Sequence, residues 1–234
     1  TEILRRGVPL CPTTWSARAN ITHTEVIQQI HEDYISSGAE IIIANTFSTR
    51  RDILRRGDLD GQITEINELA VKTAKDARKN ANPGRQVAIA GSMATYSPMM
   101  DPTSTPSYND ALEDYREQAN ILANAGVDIL VLEMLIRTTD AKAAVTAAAE
   151  TGLPVWVGYT IRKAEDDMYL GIAGKHNGES IKKAVGKVED MGVSALLIMH
   201  SDVEDTLPGL NLLKQYTTLP IGAYAHSLVD HKVH

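Results

Sequence analysis

Residues 194–205 read SALLIMHSDVED. Ala195 to Met199 form an unbroken apolar run, and the run meets His200, Ser201 and Asp202. A short continuous apolar run that stops at polar residues reads as a strand buried on both faces, the habit of a parallel sheet. An imidazole at its end needs a place where polarity is tolerated. Where that place lies decides the fold.

The same unit recurs along the chain. A helical segment ends at a glycine, one or two residues follow, and an apolar run then stops at polar residues. It appears as SSGAEIIIANTF (36–47), NAGVDILVLEM (124–134), ETGLPVWVGYT (150–160) and DMGVSALLIMH (190–200). PGRQVAIAGSM (83–93) and TTLPIGAYAH (217–226) share the strand half. Each glycine suits the left-handed cap of a helix. Strands are therefore expected near 40–46, 86–92, 128–133, 154–160, 194–200 and 220–225.

The segments between are helical. Thr22 and Glu25 have the spacing of a capping box, and Val26, Ile30 and Tyr34 then share a face. Leu112, Tyr115, Ala119 and Leu122 line a second helix, and Ile181, Val185 and Val188 a third. A longer Pro-rich insertion, SPMMDPTSTPS, covers 97–107, and KHNGES (175–180) reads as an Asn-Gly turn. Six β units joined by helices fit either a doubly wound sheet or a (β/α)8 barrel. No G-x-G-x-x-G follows a strand, which weakens the nucleotide-binding sheet. Polarity decides for the barrel. Asn45, Ser92, Glu133, Thr160, His200 and His226 each close an apolar run, and a barrel gathers such residues around one mouth, where barrel enzymes keep their chemistry.

Composition agrees with a single domain over 1–234. The 234 residues are 43% hydrophobic, enough for one sizeable core, and a net charge of -7 favours neither nucleic acid nor an anionic membrane. No apolar run has the length of a bilayer span. Cys11 is the only cysteine, which excludes an internal disulfide and suits a reducing cytoplasm. The chain opens on Thr1 without a methionine, which leaves room for an earlier segment.

Several of these segments resemble the homocysteine S-methyltransferases. TEILRRG (1–7) is similar to the end of that family's opening Gly-Thr-Glu-Leu signature. GAEIIIANTF (38–47) resembles its Asn-Thr-Phe strand, and EINELAVKTAKDAR (65–78) the helix that follows. VAIAGSMATY (87–96) resembles its Ala-Gly-Ser segment, and GVDILVLEM (126–134) the strand that ends in a substrate-binding glutamate. The resemblance implies a (β/α)8 barrel that moves a methyl group to the thiol of homocysteine or a related thiol, in methionine biosynthesis. It implies a zinc ion that holds the substrate as thiolate, a small-molecule methyl donor, and room for a homo-oligomer. Three cysteines hold that zinc in the family. Here Met199 and His200 stand where the family has Asn-Cys, and the later Gly-Gly-Cys-Cys-Gly is absent. The family's first and last strands also have no counterpart, so six of eight are expected, in a domain incomplete at both ends. The tail LVDHKVH (228–234) matches nothing in the family.

Each residue also has a plainer reading. Glu133 is either a structural ion pair or, as the resemblance implies, the receptor for the amino group of homocysteine. Asn45 and Thr46 form a turn or a pocket floor. Ser92 and Tyr96 line the substrate loop or merely pack, and Thr160 joins them as a candidate substrate contact. His200 is a zinc ligand, an acid/base or a satisfied polar group; zinc is expected in an intact protein, because the chain's own residues offer only His200 and His226 and no third ligand. His23, His31, His176, His231 and His234 read as helix-surface, loop or tail residues. Nothing assigns Cys11 to the site. The competing function is a barrel that binds a small amino acid without zinc, non-catalytic or with altered chemistry.

Overall fold

The computed structural model describes residues 2–81, 84–95, 106–164, 167–172 and 175–226, with residues 175–177 as backbone only. In chain order these form α1 (Glu2–Arg5), α2 (Ala19–Thr22), α3 (Thr24–Ser36), β1 (Ile41–Ala44), α4 (Arg51–Arg55) and α5 (Ile63–Ala81). Then come β2 (Ala88–Ala94), α6 (Tyr108–Ala125), β3 (Ile129–Leu135), α7 (Thr138–Ala149) and β4 (Val155–Tyr159). The remainder is β5 (Ile161–Ala164), β6 (Asp167–Ile172), β7 (Lys175–Ser180), α8 (Ile181–Val185), β8 (Ala195–Asp202), α9 (Val203–Tyr216) and β9 (Ile221–His226).

The larger sheet has the order β1-β2-β3-β4-β8-β9, and β1–β2, β4–β8 and β8–β9 pair in parallel. The order never reverses. A doubly wound sheet would reverse at its switch point, so this is the strand order of a barrel wall. All four glycines that precede β1, β3, β4 and β8 take the left-handed conformation, with φ of 105° at Gly38, 82° at Gly126, 75° at Gly152 and 82° at Gly192.

The residues fall into two compact units. The first holds residues 1–93, 113–131 and 151–153. Its strands bury Ile42, Ala44, Ile89 and Leu130, and α5 turns Ile66, Ala70, Val71 and Ala74 inward. Helix α6 comes close to β2 because Gly91 lacks a side chain: a Cβ there would stand 3.0 Å from Leu122 Cδ1. Asp128, at the entry to β3, accepts from the Ile89 amide (2.8 Å) and from Arg78 Nη1 (3.0 Å).

The second unit holds residues 94–112, 132–150 and 154–234. Tyr159, fully buried, donates its hydroxyl to the Ala184 carbonyl (3.0 Å) and so ties β4 to α8. Burial, and after it the charge of Glu179, pushes the Tyr159 phenol above its ordinary pKa. Glu179 closes the N-terminus of α7, accepting from the Thr138 amide (2.8 Å) and hydroxyl (2.5 Å).

Several expectations need correction. Thr22 does not cap a helix: it ends α2 and bonds the Arg18 carbonyl, and α3 starts after His23 without a side-chain cap. The buried face of α3 is Ile27, Ile30, His31 and Ile35, whereas Tyr34 is 54% exposed. His31 is therefore no surface residue. Its Nε2 has no partner, and burial pushes its pKa down to about 4. KHNGES is not a simple turn but β7, the third strand of an antiparallel sheet β5-β6-β7. The turn survives as an irregularity between Tyr169 and Gly171, opposite which Gly178 has φ 81°. Strands β2, β3 and β8 each run two residues past their expected ends. Tyr96, most of the Pro-rich stretch, the side chain of His176, and the tail with His231 and His234 lie outside the described residues.

Candidate substrate-binding site

The site is built on an irregular strand. Ile198 of β8 pairs with Ala223 of β9, and the next pair is Ser201 with Ala225. Three steps on β8 thus match two on β9, so one residue is extra: a β-bulge, which bends the strand and re-aims a side chain. His200 takes up the distortion with φ 52°. A non-glycine residue there costs about 1–3 kcal/mol and needs support. Two hydroxyls supply it by converging on the Met199 carbonyl, from Thr160 Oγ1 at 2.9 Å and Ser201 Oγ at 3.2 Å. The Ile161 amide in turn donates to Ser201 Oγ (3.0 Å). Met199 packs over Gly158, where a Cβ would meet its Sδ at 2.2 Å. A second left-handed residue, Met134 (φ 58°), follows Glu133 in β3.

The bulge delivers His200 to Glu133. Its Nε2 lies 3.2 Å from Glu133 Oε2, and Tyr224 Oη donates to the same oxygen at 3.1 Å. Tyr224 Oη and His200 Nε2 also touch, which closes a triangle of three polar atoms. One proton arrangement avoids any contact between like groups. The tyrosine hydrogen goes to Oε2, and His200 carries its hydrogen on Nε2 and shares it between Oε2 and Oη. The His226 ring stands edge-on to His200 at 4.7 Å between centroids. Glu133 is only 6% exposed. Its Oε2 holds both bonds, while Oε1 has none and still reaches solvent. Tyr224 is 39% exposed as a residue, yet its hydroxyl abuts a buried carboxylate. Burial first, then the charge and hydrogen bond of Glu133, pushes its phenol above the ordinary range.

The other predicted residues are placed as follows. Thr160 is fully buried and its hydroxyl is committed to the bulge. In the first unit Asn45 is saturated: its Nδ2 donates to the Ser16 carbonyl and to Asn20 Oδ1 (3.0 Å each), and its Oδ1 accepts from Ser16 Oγ (2.7 Å). Ser92, fully buried in β2, has its backbone tied to Thr46 Oγ1, but its own hydroxyl has no partner. Cys11, also in the first unit, lies 3.2 Å from Thr13 Oγ1, and hydrogen bonds from Thr13 and then Thr14 bring its thiol down to about 6.

Sequence reasoning missed Tyr224 and Ser201. Tyr224 was within reach, since it precedes His226 by two residues in a strand and so shares its face. Ser201 matters only because of the bulge, which no sequence pattern announced.

Metal binding does not fit the described residues. Among them no three His, Cys, Asp or Glu side chains are placed to hold a metal ion. His200 Nε2 is engaged by Glu133 Oε2 and Tyr224 Oη.

A parallel sheet with sequential strand order is the architecture of the α/β barrels. The chain belongs to the homocysteine S-methyltransferase family, whose sequence pattern matches residues 1–232. It is 27% identical to a selenocysteine methyltransferase of Astragalus bisulcatus, over 97% of this chain and 73% of that protein. It is 26% identical to the homocysteine S-methyltransferase YbgG of Bacillus subtilis, over 97% of this chain and 75% of that one. The metallated form of the homocysteine methyltransferase MmuM from Escherichia coli superposes with a TM-score of 0.85 at 25% identity, covering 97% of this chain and 80% of that one. Among the described residues no helix is long and apolar enough to cross a membrane.

Proposed function

We propose that this protein transfers a methyl group to the sulfur of homocysteine, or to the thiol or selenol of a related amino acid, and so forms methionine or its analogue. The observation that carries the reading is Glu133: a nearly buried carboxylate with one oxygen locked by two donors and the other without a partner. Such a group is costly unless a cation completes it. The protonated amine of an amino-acid ligand does so. Family membership supplies the acceptor class, and the Bacillus and Astragalus relatives carry names for homocysteine and selenocysteine methylation.

Ser92, in the first unit, keeps a fully buried hydroxyl without a partner. The amide of Asn45, which uses both its hydrogens, and the committed hydroxyl of Thr160 favour framework roles: Asn45 ties the end of β1 to the segment holding Ser16 and Asn20, and Thr160 holds the bulge under His200. Zinc, which the resemblance implies as thiol activator, is not supported by these residues, and no step is routed through it. The lone cysteine suits a reducing compartment such as the cytoplasm.

The test is methyl transfer to L-homocysteine from a panel of methylated sulfur compounds, followed by mass spectrometry, with calorimetric binding of homocysteine in parallel. Wild-type protein should form methionine. Glu133→Gln should weaken homocysteine binding by about 1.5–3 kcal/mol, the worth of a charged hydrogen bond. No methionine, or equal affinity in the two proteins, would count against the reading.

A further inference from the structure

We propose that Tyr224 is the positioning residue that turns Glu133 into a receptor for a protonated amine, and that it thereby selects amino-acid thiols over thiols lacking the amine. The proposal rests on the reading of Glu133 as the substrate's amine partner.

An ionised carboxyl accepts through two oxygens, and a free one turns about its last bond to share them among donors. Glu133 is not free to turn. Tyr224 Oη at 3.1 Å and His200 Nε2 at 3.2 Å both hold Oε2. The two donors come from β9 and β8, neighbouring strands of one sheet, so Oε2 is held from two directions. Oε1 alone is left for a ligand.

Each clamp member is itself fixed. His200 is aimed by the bulge and by the hydroxyls of Thr160 and Ser201 on the Met199 carbonyl. Tyr224 is set by the parallel register of β9 on β8. Tyrosine also suits the task chemically. Its single hydrogen cannot satisfy Oε2 and be lost to a base in the working range, because burial and the neighbouring charge keep the phenol protonated. A phenylalanine would fill the same space and leave Oε2 with one donor. Glu133 could then rotate, and Oε1 would spend part of its time turned from the ligand. Binding through a preorganised group costs less ordering than binding through a mobile one.

The test uses the full chain and two thiols, L-homocysteine and its counterpart without the amine, 4-mercaptobutanoate. Calorimetry compares wild type, Tyr224→Phe, Glu133→Gln and the double variant. Tyr224→Phe should weaken homocysteine binding about tenfold, within the range for a hydrogen bond to a charged group, and leave 4-mercaptobutanoate unchanged. In the Glu133→Gln background the same change should cost nothing further, because the two residues act through one carboxylate. The proposal falls if Tyr224→Phe binds homocysteine as wild type does, if it weakens both thiols equally, or if its effect adds in full to that of Glu133→Gln. When Glu133→Gln loses affinity and Tyr224→Phe does not, only the clamp is wrong. When Glu133→Gln itself loses nothing, the amine receptor and the clamp fall together.

Discussion

Glu133 and His31 are both buried polar side chains, and they meet burial in opposite ways. Glu133 is held against a hydroxyl and an imidazole. His31, 7% exposed with an unpartnered Nε2, has no such support, and its pKa falls from 6.5 to about 4. Linkage sets the sign. The unfolded chain takes up a proton near pH 6.5, and the folded chain resists until about pH 4. Stability contributed by neutral His31 is therefore complete above 6.5 and drains away as pH falls toward 4. Urea unfolding should show a loss of about 2 kcal/mol between pH 7 and pH 5 in wild type, absent in His31→Leu. Parallel losses in the two proteins would clear His31 of the effect. Sequence alone placed His31 on a surface, because the helix register was set by Val26, Ile30 and Tyr34; the buried face instead runs through Ile27 and Ile35. Glu133 was legible because a carboxylate that ends a buried apolar run must find either a partner or a ligand.

At the scale of elements, the bulge in β8 carries the site. A regular strand would place His200 one residue out of phase, on the other face of the sheet. The extra residue and the left-handed His200 restore its approach to Glu133, and the Met199 carbonyl is the anchor of that distortion. Thr160→Val keeps shape and loses a donor. It should lower the unfolding free energy by about 1 kcal/mol and move the NMR signals of the His200 ring. A variant as stable as wild type, with those signals unmoved, would mean that the brace is idle. The six strands of the larger sheet and their positions were readable from apolar runs and glycine caps, because those follow from burial and backbone sterics. The bulge was not readable, since one inserted residue leaves the apolar pattern intact. The β5-β6-β7 sheet was missed for a different reason. Met168 and Leu170 alternate inward there, but an Asn-Gly pair at 177–178 drew the reading toward a turn.

At the scale of the molecule, the sequential strand order and the likeness to the Escherichia coli methyltransferase put this chain in one family. Its described residues form a hydrogen-bonded Glu133–His200–Tyr224 triangle. The fold could be read from sequence because every unit repeats the same physics. The triangle could not, because its three members come from three strands far apart in the chain, and only the folded register brings them together. The central claim is that this triangle presents one carboxylate oxygen to the amine of a sulfur amino acid. A crystal structure of the protein with L-homocysteine tests it most directly. The account predicts the ligand nitrogen within hydrogen-bond distance of Glu133 Oε1, about 2.7–3.2 Å, with Tyr224 and His200 still on Oε2. A bound homocysteine whose amine lies away from Glu133, or a Glu133 that has left Tyr224 to reach it, would contradict the account.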